Sequence, residues 1–251
     1  MGPVYIFLNL NTALAQTSLK IAFLDTGFCT EKIKPVSKQV KVNSVVDLTH
    51  SVKLDCLNLS FNKNFPRFHG QLVLEEFLAF FVPAKVSVNI YPLIIFDHKG
   101  EQKKEYWLKA IDWIKKNKID VVVTAAGLVT EDKLVKELPA VWFVPSGRVT
   151  PQIKKENSLF PQNLAPLKNL FLIGDFYDGK NVIYDQELLF QDQIDYFFPS
   201  GQNNFVGTSR AVAEASARAL SLCPLATLRD CLKSKSKQYT DNLSSKNITT
   251  F

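Results

Sequence analysis

The sequence lacks any long apolar run, since no stretch reaches the roughly 18 apolar residues that a membrane-spanning helix requires. Its cysteines lack the CxxC spacing and the nearby histidine that are typical of zinc sites. A GxGxxG phosphate loop is also absent, because residues 25–30 (DTGFCT) follow the first apolar run with a single glycine. These absences argue against a membrane span, a zinc site and a dinucleotide-binding domain. We expect neither a metal nor a cofactor.

The positive charge is not arranged for binding nucleic acid. The chain of 251 residues has a net charge of +6, much of it in residues 31–41 and from Arg229 onward. Neither segment interleaves its basic residues with aromatic ones on a common face, as a nucleic-acid-binding surface would. We interpret both as solvated surface and expect no nucleic-acid partner.

The first residues indicate export. Residues 4–10 are a short apolar run, and Ala13-Leu14-Ala15 has the small-x-small pattern of a cleavage site. We interpret residues 1–15 as a shortened signal peptide and expect a secreted or periplasmic protein. Because a basic n-region is missing, a structured N-terminal strand is the alternative.

The four cysteines fit an exported protein. Four cysteines allow three pairings. Cys223 and Cys231 bracket a short proline-containing loop, which makes them the natural pair and leaves Cys29 with Cys56. The alternative is four reduced, buried thiols in a cytosolic protein.

Strand-like and helix-like segments alternate along the chain, which predicts a mainly parallel sheet with helices on both faces. The apolar residues recur every three or four positions in the helical segments and are continuous in the strands. Function gathers at the carboxyl ends of such strands. The predicted strands are 19–24, 85–95, 120–124, 141–144 and 170–173, and the predicted helices are 70–82, 101–118 and 207–222. Residues from about 233 onward are polar, and we expect them to fray.

Gly207-Thr208-Ser209 opens a helix built of small residues. A serine at a helix N-terminus lies beside free backbone N–H groups and the positive end of the helix dipole, which can stabilise an oxyanion. Taken alone, the serine is more simply explained as a helix cap.

The order of three motifs resembles the subtilisin-like serine proteases. Ile21–Gly27 (IAFLDTG) resembles that family's strand ending in Asp-Thr-Gly, His69-Gly70 its His-Gly motif, and Gly207-Thr-Ser209 its Gly-Thr-Ser motif. Asp, His, Ser is the chain order of subtilisin. The resemblance extends from about Lys20 to Cys223.

The resemblance implies a three-layer α/β sandwich with a mainly parallel, subtilisin-like sheet over residues 16–232, followed by a polar tail at 233–251. It implies a serine endopeptidase in which Ser209 is the nucleophile, His69 the general base and Asp25 the residue that orients His69. His50 and His98 are rival bases, although neither follows the family pattern. The residues that would wall the substrate pocket are Ala125, Ala126, Gly127, Pro145, Ser146 and Gly147.

The oxyanion region departs from the family. Arg148 stands where the family has the asparagine that donates to the oxyanion; its guanidinium could donate instead or point to solvent. Arg210 follows the predicted nucleophile directly, where the family usually has methionine. Its four-residue spacing from Glu214, and that of Glu214 from Arg218, predicts an ion-pair ladder on one face of the helix. The small pocket walls favour an uncharged substrate side chain, whereas Arg148 at the rim favours an acidic one.

We therefore expect a monomeric peptidase that acts on a protein or peptide substrate, with a proteinaceous inhibitor as a further partner. The alternative is a subtilisin-like domain with little or no activity that serves as a binding module.

Overall fold

The computed structural model describes residues 18–34, 37–52, 56, 68–83, 86–178, 182–184, 187–201, 205–240 and 247–251. The segment predicted as a signal peptide, residues 1–15, lies outside the described residues.

The strands are short, and most of them coincide with the continuous Val-, Ile- and Phe-rich runs of the sequence. In chain order they are β1 (Ser18–Asp25), β2 (Val40–Val42), β3 (Val46–Asp47), β4 (Ser87–Ile94), β5 (Val121–Thr124), β6 (Leu128–Val129), β7 (Val141–Pro145), β8 (Leu159–Phe160), β9 (Leu170–Asp178), β10 (Val182–Tyr184), β11 (Tyr196–Pro199), β12 (Lys237–Thr240) and β13 (Asn247–Thr250).

Nine strands of the described part of the chain form the central sheet, in the order β10-β9-β7-β5-β1-β4-β2, with β11 beside β9 and β3 beside β4. Every pairing in this sheet is parallel except that of β10 with β9. Strand β1 lies near the centre, where Phe23 is opposite Pro92 of β4 on one side and Val123 of β5 on the other. The predicted mainly parallel sheet is confirmed.

Helices cover both faces of the sheet. The four α-helices of the described residues are α1 (His69–Phe80), α2 (Lys104–Asn117), α3 (Thr208–Leu222) and α4 (Leu228–Lys235). Ile21 and Phe23 of β1 pack into one apolar layer with α1, α3 and α4, whereas Ala22 and Leu24 pack into the other with α2. This alternation buries both faces of β1 and produces the predicted three-layer sandwich.

The helices follow the predicted periodicity. In α2 the apolar residues at this three- or four-residue spacing, Trp107, Ile111 and Ile114, are fully buried. Helix α1 begins at His69, one residue before the predicted start, and ends at Phe80, two residues before the predicted end. Helix α2 begins at Lys104, three residues later than predicted.

The C-terminal segment was expected to fray, and the structure differs. Helix α4 continues to Lys235, and β12 pairs antiparallel with β13. Phe251 then packs edge-on against Tyr196 and Phe198 of β11, with ring centroids 4.7 and 4.9 Å apart. This aromatic contact holds the last residue against β11, because it partly buries an apolar ring at the end of a mostly polar stretch.

Two disulfides are formed, as the cysteine spacing predicted. Cys29 bonds to Cys56 and Cys223 to Cys231. None of the described helices is long and apolar enough to cross a membrane.

Candidate active site

Three strand ends meet at one edge of the sheet. Asp25 is the last residue of β1, Thr124 ends β5 and Pro145 ends β7, and these three parallel strands are neighbours in the sheet. The candidate acid and the two segments predicted to wall the pocket therefore lie together, at the edge where α/β proteins place their ligands.

Helix α1 approaches this edge closely because its second residue is glycine. A Cβ at Gly70 would lie 2.6 Å from Cζ of Phe28 and 2.9 Å from Cβ of Asp25, distances that no real side chain tolerates. The Gly70 N–H donates to Thr26 Oγ1 at 3.2 Å, and the Gln71 N–H to the Gly27 carbonyl at 3.1 Å. The glycine of the His-Gly motif thus lets the start of α1 rest on the loop after β1.

This docking places the His69 ring against Asp25. The His69 Nδ1 atom lies 2.9 Å from Oδ1 and 3.0 Å from Oδ2 of Asp25. Asp25 Oδ1 also accepts the Thr26 N–H at 2.7 Å, which fixes the carboxylate. The Asp25 side chain is 3% exposed and that of His69 is 22% exposed. With Nδ1 engaged, Nε2 is the ring nitrogen left to exchange a proton with another group.

The carboxylate also changes the basicity of the ring. Burial of His69 disfavours the imidazolium, but the charge of Asp25 and its hydrogen bond to the ring outweigh this and raise the pKa of His69 above 6.5. The imidazole is therefore a stronger base than a free histidine, as a group that removes a proton from a hydroxyl should be.

Ser209 is the second residue of α3, and it does not cap the helix. Gly207 occupies the cap position with φ +93°, a left-handed conformation that favours glycine. The cap alternative for Ser209 is therefore wrong. Ser209 is partly exposed, and the N–H groups of the first helical turn have no partners within the helix.

The start of α3 lies beside α1. Arg210 Nε is 2.8 Å from Glu76 Oε1 of α1, and the ring of Phe205 meets that of His69 edge-on, with centroids 5.8 Å apart. No hydrogen bond joins Ser209 Oγ to His69 in the part of the chain that the structure describes. The structure therefore pairs two of the three predicted catalytic residues directly and brings the helix of the third alongside.

Arg148 does not point to solvent. Its guanidinium forms an ion pair with Asp175, which is fully buried in β9, and its Nη1 donates to the Tyr177 hydroxyl at 3.2 Å. Arg148 Nε lies 4.0 Å from where a Cβ on Gly207 would be. The guanidinium is thus held next to the turn that presents Ser209, with 26% of its side chain exposed.

Arg210 joins the predicted ladder on α3 and extends it. Glu214 forms ion pairs with Arg210 at 2.9 Å and with Arg218 at 2.7 Å, which confirms the predicted ladder. Arg210 also pairs with Glu76 and donates to the Pro199 carbonyl at 2.8 Å. The residue after Ser209 therefore ties α3 to α1 and β11. Burial raises the pKa of Glu76, and the Arg210 charge opposes that rise.

The predicted pocket walls differ in exposure. Ala126, Pro145 and Ser146 are buried, whereas Ala125, Gly127 and Gly147 are partly exposed at the sheet edge. Leu128 and Val129 continue the first wall as β6, which pairs antiparallel with β8. The amide of Gln162, which follows β8, reaches into the space between the two walls.

The other candidate groups lie elsewhere. His50 and His98 are both exposed, and neither hydrogen bonds to Asp25 among the described residues. The described part of the chain brings Cys29, Glu31 and Cys56 within 4.8 Å of one another. The two sulfurs of that group are joined in the disulfide, so they cannot act as thiolate ligands.

Sequence reasoning missed three side chains of this region: Asp175, Tyr177 and Gln162. An acid directly after the apolar run Leu170–Gly174 was the available signal for Asp175, because a carboxylate there must be buried with a partner. Gln162 carried no comparable signal, since glutamine after a proline is ordinary in loops.

The chain resembles a solved protease structure in its fold. A comparison with protein-family models and another with curated proteins both give no match. Among solved structures, the chain is similar to the prenylagaramide maturation protease PagA, with a TM-score of 0.52 and 16% identity over 84% of this chain and 77% of that one. At this identity the likeness shows the fold alone. It agrees with the predicted subtilisin-like α/β sandwich, and this fold is one that a protease uses.

Proposed function

We propose that the protein is a subtilisin-type serine endopeptidase in which Asp25, His69 and Ser209 act together. The observation that carries the proposal is the contact of His69 Nδ1 with the buried Asp25 carboxylate, which leaves Nε2 for proton exchange beside the helix whose second residue is Ser209. The motif order and the shared fold support it.

In the proposed reaction, Ser209 Oγ attacks the carbonyl carbon of a peptide bond while His69 Nε2 takes the hydroxyl proton. Asp25 holds the ring in the tautomer that this transfer requires and stabilises the imidazolium that results. The C–N bond then breaks, and His69 returns the proton to the departing amine. Water repeats the sequence on the acyl-enzyme and releases the second product.

This sequence requires Ser209 and His69 to come within hydrogen-bond reach. Catalytic hydrogen bonds are often long in a protein without substrate and tighten when substrate binds. The Phe205–His69 ring contact and the Arg210–Glu76 ion pair hold the start of α3 against α1, which keeps Ser209 and His69 on neighbouring elements.

We assign the oxyanion region to the Ser209 N–H and Arg148. The helix N-terminus supplies a backbone donor, and the guanidinium near Gly207 supplies positive charge where the tetrahedral oxygen forms. Asp175 then acts as a positioning residue, because its ion pair holds Arg148 in place.

The alternative function is a binding module with little or no activity. The engagement of Arg148 by Asp175 favours this alternative, since a guanidinium committed to a buried carboxylate has less charge to offer an oxyanion.

Labelling with a fluorophosphonate separates the two functions. The reagent bonds to a serine oxygen and releases fluoride only when that serine is activated by a base. We expect one adduct on Ser209, lost in Ser209→Ala. Ser216→Ala, which alters a buried serine of the same helix, is the matched control and should label normally. Folded protein that does not label between pH 6 and 9 would leave only the binding module.

Export belongs to the same proposal. Two disulfides are typical of proteins that mature in an oxidising compartment, which supports a secreted or periplasmic location. We propose that residues 16–232 contain the catalytic unit.

A further inference from the structure

We propose that Gln162 closes the substrate pocket and limits the residue before the cleaved bond to small side chains such as Gly, Ala or Ser. This inference rests on the proposed peptidase function. It concerns the crevice between residues 125–127 and 145–147, which lies past the carboxyl ends of the adjacent strands β5 and β7.

The crevice is next to the candidate nucleophile. Gly147 and Arg148 continue from β7, and Arg148 Nε reaches to within 4.0 Å of a Cβ position on Gly207, two residues before Ser209. When Ser209 attacks a carbonyl, the side chain on the acyl part of the substrate must lie close to this turn. We place that side chain between the two walls, because they follow the carboxyl ends of adjacent parallel strands, where α/β proteins bind their ligands.

The Gln162 side chain occupies that space. Its Nε2 donates to the Pro145 carbonyl at 3.0 Å and to the Ala126 carbonyl at 3.3 Å, so one amide joins the two walls. Gln162 is only 1% exposed. The amide is therefore a fixed part of the crevice, since both of its donor hydrogens have partners.

Gly127 shows how full the crevice is. A Cβ on Gly127 would lie 2.9 Å from both Nε2 and Oε1 of Gln162. Because a single added methyl group meets the amide, a long aromatic or aliphatic substrate side chain has no room beyond it. A hydrogen or a methyl group, by contrast, does not have to extend past the amide.

The acceptor of the same amide has no partner. Gln162 Oε1 is buried and receives no hydrogen bond within the described part of the chain. A buried acceptor without a donor is unfavourable. It lies against Gly127, at the wall, where the hydroxyl of a small substrate residue could donate to it.

The test compares two diphenyl phosphonate probes, one carrying an alanine side chain and one carrying a phenylalanine side chain. The measurement is the second-order rate of adduct formation on Ser209. We expect the wild type to prefer the alanine probe roughly tenfold or more, since specificity pockets discriminate by about 10–200-fold per methylene. Gln162→Gly should reduce that ratio at least about tenfold, mainly by accelerating the phenylalanine probe.

Two further variants keep the result interpretable. Asn163→Ala removes the neighbouring amide, which bonds to Ser158 and to the Asp132 carbonyl instead, and should keep the wild-type ratio. Gln162→Asn retains the amide but shortens it, and should give an intermediate ratio. Gln162→Asn also replaces Gln162→Gly as the test variant if the melting temperature shows that Gln162→Gly does not fold.

A small, non-peptide fluorophosphonate distinguishes the two possible failures. If that reagent labels Ser209 in all variants but wild type and Gln162→Gly show the same probe ratio, the pocket inference is overturned and the peptidase remains. If the reagent labels none of the folded proteins, the proposed function itself fails and the pocket inference fails with it.

Discussion

At the residue scale, the reactivity of the site depends on the contact between Asp25 and His69. The carboxylate fixes Nδ1 and raises the pKa of the ring above 6.5. Because the folded-state pKa is raised, the pair stabilises the folded protein fully below pH 6.5, and this contribution is lost as pH rises through the folded-state value.

Asp25→Asn should lower both the pKa of His69 and the reaction rate. Burial would still disfavour the imidazolium while the opposing carboxylate charge is gone. The equivalent change in a Ser-His-Asp triad lowers kcat about 10⁴-fold, because the ring takes the wrong tautomer. The measurements are an NMR titration of His69 and the rate of fluorophosphonate labelling.

His50 and His98 provide reference resonances in the same spectra, since both are exposed and neither bonds to Asp25 in the described structure. Their resonances should not respond to the substitution. A His69 pKa that stays the same in Asp25→Asn would show that the contact with Asp25 is not electrostatically coupled.

We expect Arg148 to contribute both to the reaction rate and to the stability of the fold, and the two contributions can be measured separately. Arg148→Ala should slow the labelling of Ser209 by about 10²–10³-fold if the guanidinium supplies an oxyanion donor. It should also destabilise the protein by about 3–5 kcal/mol, because the buried Asp175 loses the positive charge of Arg148.

The double variant Arg148→Ala/Asp175→Ala tells the two effects apart. We expect the double variant to regain most of the free energy of unfolding that Arg148→Ala loses, as measured by urea unfolding, since the buried charge has been removed. The labelling of Ser209 should remain slow. If the labelling rate recovers together with the stability, Arg148 has only a structural role.

At the scale of elements, the site depends on how closely α1 rests on the loop after β1. Gly70→Ala forces a methyl group against Phe28 and Asp25. We expect a loss of about 1–3 kcal/mol from overpacking. The labelling of Ser209 should also slow in the protein that remains folded, because the displaced α1 carries His69 away from Asp25.

Ile114→Ala is the control for Gly70→Ala. Ile114 is buried on α2, on the opposite face of the sheet, and its truncation should cost about 2–5 kcal/mol without slowing the labelling of folded protein. Equal labelling rates in Gly70→Ala and Ile114→Ala would contradict the account of α1.

The elements also show what could be predicted from the sequence. The apolar runs that became β1, β5 and β7 and the periodic stripe of α2 determine local structure directly, so their positions were predicted to within a few residues. Strand β11 was not predicted, because its apolar run is short and ends in a proline.

The contacts between distant elements were not predictable in the same way. Arg148 meets Asp175, and Gln162 joins Ala126 to Pro145, only because the sheet places β5, β7 and β9 side by side. Spacing along one helix predicted the pairs of Glu214 with Arg210 and Arg218, but it could not reveal Glu76 on another helix.

At the scale of the whole molecule, the two disulfides constrain different parts of the chain. Cys29–Cys56 spans 27 residues and anchors the loop after Asp25, whereas Cys223–Cys231 spans 8 residues after α3. The loop-entropy relation gives stabilisations of about 3.5 and about 2.5 kcal/mol, respectively.

Replacing each pair by alanine tests this difference. Cys29→Ala/Cys56→Ala should lower the melting temperature more than Cys223→Ala/Cys231→Ala does, and only the first change should also slow labelling at Ser209. The melting temperature and the labelling rate are measured on the same preparations. If the two double variants have the same melting temperature, or if Cys223→Ala/Cys231→Ala has the lower one, the longer loop is not the main constraint.

The pH dependence of fluorophosphonate labelling at Ser209, mapped by mass spectrometry, tests the coupling of Asp25, His69 and Ser209 most directly. We expect a single adduct on Ser209 that His69→Ala abolishes. The rate of its formation should rise with pH through one ionisation above pH 6.5, that of His69. An adduct on another serine, a rate that His69→Ala leaves unchanged, or folded protein that never labels between pH 6 and 9 would contradict it.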